Sequence, residues 1–227
     1  MATQLRPQVY LGSKAPNFQV QTSQGPIDFY EYIGDSWCMF FSHPADFTPI
    51  CTTEIGALAS LSSEFASRGC KLLGLSTNNK ATHLKWLRDI ERITGSKVDF
   101  PLICDLDRRI GMMFGMIDLH SFDSEGKPTP FRSVFIIDPK KIVRLVQIYP
   151  LSTGRNTAEM LRCLDSLQLV DRTDHHFITP VNWIPGDDVV LAPEIDHITA
   201  EEKFPRHRTI REYLKFAPID PDTLQSH

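Results

Sequence analysis

The stretch Trp37–Glu54, WCMFFSHPADFTPICTTE, decides how the rest of the chain is read. Its first seven residues are a nearly continuous apolar run, the kind of strand that a sheet buries on both faces. Pro44 and Pro49 follow. Thr48 stands where a helix N-cap is favoured, and Pro49 where the first helical residue is favoured. On that reading Cys51 lies in the first turn of a helix that follows a core strand. Unpaired backbone N–H groups and the positive end of the helix dipole would surround its sulfur and favour the thiolate, the nucleophilic form. The residues PADFTPIC would floor a tight, partly apolar pocket. Position alone leaves a second reading open, a buried cysteine packed at a helix start.

Outward from this stretch the chain alternates. Ile55, Leu58, Leu61 and Phe65 recur at helical spacing over residues 52–69, with Gly69 as a C-terminal stop. Residues 71–77 predict a strand, and 80–93 a helix with Leu84, Leu87 and Ile90 on its apolar side. Residues 100–105 predict a strand and 108–116 a short helix. RSVFIID (132–138) and IVRLVQIY (142–149) predict two strands joined by the turn DPKK. Residues 156–168 predict a helix capped by Asn156, with Glu159 three residues on. Strands alternating with helices imply an α/β core with a partly parallel sheet, to which the last strand pair adds an antiparallel hairpin. After about residue 170 Pro, Asp and turn signals take over. The reading is a core domain over residues 1–170 and a smaller extension of short strands and loops over 171–227.

Composition narrows the function classes. Hydrophobic residues make up 41% of the chain, enough for a real core rather than global disorder. The net charge of -4 argues against nucleic acid as the main partner. No apolar run approaches the ~18 residues of a membrane span, and MATQLRPQVYLGSKAP has no apolar core of the signal-peptide kind. Five irregularly spaced cysteines (Cys38, Cys51, Cys70, Cys104, Cys163) without a CxxC point to free thiols in a reducing compartment. The cytoplasm is the first expectation, with the mitochondrion left open. Four of the five are expected to be small buried apolar residues. Asp174, His175 and His176 lack a second ligand cluster with zinc-like spacing and read as a solvated linker.

Pro44, Thr48 and Cys51 form the pattern PxxxTxxC after a strand. FSHPADFTPICTTE, APNF (15–18), GDSW (34–37), FRSVFIID with Arg132, YPLSTGRN (149–156) with Arg155, and TPVNWIPGDD (179–188) together closely resemble the one-cysteine peroxiredoxins of the peroxiredoxin-6 type. The resemblance covers nearly the whole chain. It implies a thioredoxin-like α/β fold and a homodimer with the extension near the partner contact or pocket rim. No metal or organic cofactor is implied. It also implies a thiol-dependent peroxidase acting on hydrogen peroxide and organic hydroperoxides. Cys51 would be the peroxidatic nucleophile, Thr48 a hydrogen-bonding partner of the peroxide, and Pro44 a shield for the sulfenic acid. Arg132 would hold the thiolate and polarise the peroxide. His43 is a further pocket candidate, Arg155 a support for the pocket wall, and Glu54 an anchor for Arg132 or Arg155. No cysteine after Cys163 is available as a resolving partner, so an external thiol, from a glutathione or thioredoxin system, would reduce the sulfenic acid.

Two other readings have definite signatures. Some relatives of this type are also phospholipases, with a serine in GDSWG. Here the segment is GDSWC, so Cys38 stands in place of a glycine. Tyr30 stands where a histidine is expected and Lys140 where an acid is expected, which makes Ser36 structural. A chaperone that kept only the fold would not need Pro44, Thr48, Cys51 and Arg132 together.

Overall fold

The computed structural model describes residues 9–219 of the chain. The reading of the N-terminus as lacking a signal peptide falls partly on residues 1–8, outside the described residues. Two compact units divide between Thr157 and Ala158. The sequence reading set the division near residue 170, at the far end of the helix that begins here.

The larger unit runs β1 (Gln19–Thr22), β2 (Gly25–Asp28), α1 (Phe29–Ile33), β3 (Trp37–Ser42), α2 (Pro49–Ser60), α3 (Ser62–Ser67) and β4 (Cys70–Ser76). It continues with α4 (Lys80–Thr94), β5 (Leu102–Cys104), α5 (Arg109–Met113), β6 (Ile117–Phe122), β7 (Pro128–Pro130), β8 (Arg132–Ile137) and β9 (Val143–Tyr149). Seven strands form one mixed sheet in the order β2-β1-β5-β4-β3-β8-β9. The crossovers from β3 to β4 and from β4 to β5 are parallel, and β8 and β9 pair as the expected antiparallel hairpin. All residues of β3 and β8 are buried, and the apolar runs 37–41 and 134–137 form most of each strand. Their antiparallel register aligns Phe41 with Val134. That register brings the start of β8 to the end of β3, where the loop into α2 begins.

Local chemistry explains the departures from expectation. The helix expected over 52–69 starts at Pro49 and breaks at Leu61. Near the break Ser60 Oγ donates to the Ala57 carbonyl, the local bonding by which serine competes with helix. Helix α4 buries His83, Trp86 and Ile90, whereas Leu84 is exposed. An aromatic and a histidine took the face that a count of aliphatic residues assigned to Leu84 and Leu87. Gly56 lets α2 approach α4, since a Cβ there would lie 2.6 Å from Thr94 Cγ2. The hairpin β1–β2 has no apolar alternation to announce it. It is followed by α1, capped by the Asp28 carboxylate, which accepts from the Tyr30 and Glu31 N–H groups.

The smaller unit holds α6 (Thr157–Arg172), β10 (Phe177–Ile178), β11 (Val189–Leu191), α7 (His197–Lys203), β12 (Arg208–Arg211) and β13 (Leu214–Ala217). Its four strands make an antiparallel sheet in the order β10-β11-β13-β12. A small apolar cluster of Leu191, Ala192, Ile195, Ala200 and Ala217 supports it.

Candidate active site

Thr48 takes the extended backbone of an N-cap, and Pro49 opens α2 as expected. The Thr48 hydroxyl, however, makes no capping bond. It donates instead to the Ala45 carbonyl at 2.9 Å. Phe47, just before it, has a φ of 57°, a strained value for a bulky residue. The loop is thus held in one tight shape, and Cys51 enters the first helical turn with its side chain fully buried.

From β8, 81 residues away, Arg132 Nη1 reaches to 3.2 Å from Cys51 Sγ. The same nitrogen donates to Glu54 Oε2 at 2.8 Å, and Nε donates to the Leu151 carbonyl at 2.9 Å. Nη2 carries no hydrogen bond among the described residues. Glu54 lies one turn below Cys51 on α2. Both its oxygens also accept from Arg155, whose Nε and Nη2 form a bidentate pair at 3.0 and 2.9 Å. The Arg155 backbone N–H donates to Glu54 Oε1, and its Nη1 bonds the Ser42 and Ser133 carbonyls. Burial alone would raise the Glu54 pKa, but the charge and hydrogen bonds of Arg155, with the Arg132 charge, hold it below the usual carboxylate range. Glu54 thus pairs with both arginines.

His43 turns to Asp46, with Nε2 3.1 Å from Oδ1. Asp46 Oδ2 lies 2.8 Å from Nδ1 of His83 on α4. The His43 ring packs 5.1 Å from that of Trp86, whose indole N–H donates to Thr52 Oγ1 on α2. Neither Asp46 nor His83 was singled out in the sequence. Two clues were present: an acid two residues after Pro44, and a histidine three residues before Trp86 on one helix face. Burial pushes the His43 pKa down. For His83 burial acts in the same direction, but hydrogen bonds to Asp46 and Cys104 and the Asp46 charge outweigh it and raise the value to about 9. Its titratable neighbours are therefore Asp46, Cys104 and, across 6.3 Å, the His43 ring. A histidine raised in the folded state stabilises fully below its ordinary value of 6.5 and loses that contribution as pH rises through about 9. Urea titrations of the wild type and His83→Gln should converge across that window. The wild-type advantage should shrink by roughly 3 kcal/mol at most. A gap that widens with pH contradicts a charged His83.

A cavity of about 740 Å³ opens beside this cluster, lined in part by Pro44, Ala45, Asn78, Arg108, Lys127 and Leu151. Pro44 and Leu151 line it, and the Leu151 carbonyl accepts from Arg132 Nε. Four of the five cysteines, Cys38, Cys51, Cys70 and Cys163, are buried, and Cys104 is half-buried. Burial raises the pKa of Cys38, Cys70 and Cys163, to about 12 at Cys70 and about 11 at Cys163. Around Ser36, the Tyr30 hydroxyl is committed to the Ala15 carbonyl, and the Lys141 ammonium donates to the Gly34 carbonyl. Among the described residues, no group of three or more His, Cys, Asp or Glu side chains could hold a metal ion, and no helix is long and apolar enough to cross a membrane.

Residues 11–146 match the AhpC/TSA family, and residues 166–205 match the C-terminal domain of 1-Cys peroxiredoxin. The chain belongs to the AhpC/TSA family. Peroxiredoxin PRX1, mitochondrial, from Saccharomyces cerevisiae is 46% identical over 93% of this chain and 81% of that protein. Peroxiredoxin-6 from Homo sapiens is 41% identical over 92% of this chain and 96% of its own length. A cysteine-to-serine mutant of Peroxiredoxin 6 from Arenicola marina superimposes with a TM-score of 0.88 at 37% identity, over 92% of this chain and 98% of that one. The yeast mitochondrial 1-Cys peroxiredoxin, solved to explain thiol resolution via glutathione and thioredoxin systems, superimposes with a TM-score of 0.86 at 45% identity, over 93% and 100% of the two chains. The fold of this 1-Cys peroxiredoxin is therefore thioredoxin-like with a C-terminal extension, and its reaction is thiol-dependent reduction of peroxides.

Proposed function

We propose that Cys51 is the peroxidatic sulfur and that the residues packed around it supply the rest of the chemistry. The observation that carries the reading is the Arg132 guanidinium, 3.2 Å from the sulfur with its second terminal nitrogen unspent. Two buried guanidiniums and one carboxylate leave one positive charge in the cluster, and a thiolate at Cys51 brings the sum to zero. The sulfur attacks one peroxide oxygen, the O–O bond breaks, and that oxygen stays on sulfur as sulfenic acid. The other oxygen takes a proton and leaves as water or alcohol. Arg132 Nη2 is placed to donate to the oxygen on which charge builds. The Thr48 hydroxyl hydrogen is used by Ala45, so its oxygen remains as acceptor for the peroxide O–H and sets the line of approach. Pro44 walls the sulfur from the cavity through which peroxide enters. Arg155 and Glu54 hold Arg132 in place. His43, through Asp46 and His83, fixes the loop on either side of Pro44.

Resolution falls to an external thiol. It condenses with the sulfenic acid to a mixed disulfide and water, and a second thiol then frees Cys51. Glutathione and thioredoxin systems both fit, and the yeast relative supports them. One equivalent of peroxide followed by intact-mass and peptide analysis should find a single added oxygen on Cys51 and no intramolecular disulfide. A disulfide between Cys51 and another cysteine of the chain defeats the one-cysteine reading.

The expected homodimer is supported by the open edge of the sheet at β9, with Ile148 exposed, and by exposed Val181, Ile198 and Tyr213 in the smaller unit. A monomeric mass in sedimentation at micromolar concentration counts against it. For location, free thiols fit the cytoplasm, and the mitochondrial yeast relative supports the mitochondrion equally well.

A further inference from the structure

The cavity of about 740 Å³ is far larger than a peroxide requires and falls in the ~300–1,000 Å³ range of small-molecule sites. Pro44 and Leu151 belong to its lining, and the Leu151 carbonyl accepts from Arg132, whose Nη1 is 3.2 Å from Cys51 Sγ. Asn78 and Asn79, consecutive between β4 and α4, line it too. Each has its side-chain oxygen engaged. Asn78 Oδ1 accepts from the Asp46 N–H at 3.0 Å, and Asn79 Oδ1 caps α4 by accepting from the Thr82 N–H at 2.9 Å. Those backbone donors fix which end of each amide is oxygen. The two Nδ2 groups are left as donors, without a partner among the described residues.

Between β6 and β7, Lys127 and Glu125 also line the cavity and pair at 2.8 Å. Both side chains are exposed, so the pair is weak enough to exchange for the charges of a ligand. Arg108 is committed instead: its Nε, Nη1 and Nη2 donate to the Pro128 carbonyl, the Leu106 carbonyl and Asp123. The exposed Phe122 ring adds apolar surface.

The lining selects the occupant. Two amide donors and an ammonium suit carboxylate and peptide carbonyl oxygens, and Glu125 suits an ammonium. An acyl chain would leave these groups desolvated and unpaired, and a folded protein does not enter a cavity of this size. We propose that the cavity seats the reducing thiol, and that this thiol is a small zwitterionic peptide of the glutathione class, read by Asn78, Asn79 and Lys127. The proposal deepens the reading of Cys51 given above and rests on it. The peptide sulfur bonds to the Cys51 sulfur, the S–O bond of the sulfenic acid breaks, and the departing hydroxyl leaves as water with the thiol's proton. Peroxide and thiol use the same opening in turn. Cys51 is fully buried, so the seated thiol reaches it as Pro44 moves aside, and the loop that carries Pro44 is anchored through Asp46 to the same Asn78.

The test has two arms. In the first, the full chain carrying Cys51→Ser is titrated calorimetrically with S-methylglutathione, whose blocked sulfur binds but cannot react. Saturable binding in the millimolar range is expected. Adding Asn79→Asp keeps the capping oxygen but replaces the donor with a negative oxygen, and should weaken binding roughly tenfold. Lys127→Ala, an exposed change away from any cap, should weaken it in the same direction. Absence of saturable binding overturns the inference, and so does binding that neither variant weakens. In the second arm, the chain with Cys51 intact is oxidised by one equivalent of peroxide. Glutathione should then reduce Cys51 roughly tenfold faster per thiolate than 2-mercaptoethanol, and Asn79→Asp should erase that preference. Equal rates for the two thiols overturn the inference. The first arm has no sulfur at residue 51, so its failure is separate from failure of the sulfenic-acid test on Cys51.

Discussion

Cys51→Ser should abolish peroxide turnover, with a loss of about 10³-fold or more against any of the common peroxides. The size of the loss follows from what remains. A serine hydroxyl at that point is neither ionised at neutral pH nor soft enough to attack an O–O bond. Cys38, Cys70 and Cys163 cannot substitute, because burial raises their pKa and leaves almost no thiolate at neutral pH. No guanidinium lines the cavity at Cys104, so a peroxide there lacks the donor for the leaving oxygen. Peroxide consumption with a thiol reductant in excess, measured for wild type and variant at equal concentration, checks the point. More than about one per cent residual turnover would mean that another sulfur carries the reaction.

That site was legible in the sequence to an unusual extent, and the reason is local. Proline, threonine and cysteine act through their own backbone positions in one loop, and a strand followed by Thr-Pro is a helix start by itself. Arg132 was singled out through the resemblance carried by FRSVFIID; the structure adds its place at the head of a buried strand, 3.2 Å from the Cys51 sulfur. The roles that stayed hidden depend on pairs far apart in the chain. Asp46 and His83 are 37 residues apart, and nothing in either segment names the other. Only the parallel placement of β4 and β5, with α4 between them, brings the Ile103 carbonyl to 3.3 Å from His83 Nε2. The Thr48 hydroxyl shows the converse. Its position as N-cap was correct, but its bond to Ala45 is a property of the loop's shape and not of residue preference.

Glu54→Gln should cost more stability than any other single change in the site, roughly 3–5 kcal/mol, and it should also reduce activity. Glutamine keeps the volume and one acceptor, but it removes the charge and turns its N–H groups toward arginine donors that an oxygen had satisfied. Among the described residues Glu54 is the only carboxylate paired with two buried guanidiniums, and its side chain is 5% exposed, so water cannot replace it. Without that charge Arg132 and Arg155 repel each other in a poorly solvated space. Arg155 keeps its carbonyl partners at Ser42 and Ser133 and stays put. Arg132 keeps only Leu151 and the sulfur, and it is the one free to swing. In a two-state melt the loss corresponds to a fall of about 10 °C for a chain of this size. The pH dependence supplies the sign. The Glu54 pKa is lowered in the fold, so its contribution is present above the unfolded carboxylate value and disappears as pH falls through the lower folded value. Wild type and Glu54→Gln should therefore differ most near neutral pH and converge in acid. If they differ by less than about 1 kcal/mol at pH 7, the two arginines are held by their carbonyl contacts alone, and Glu54 is not what aims Arg132 at the sulfur.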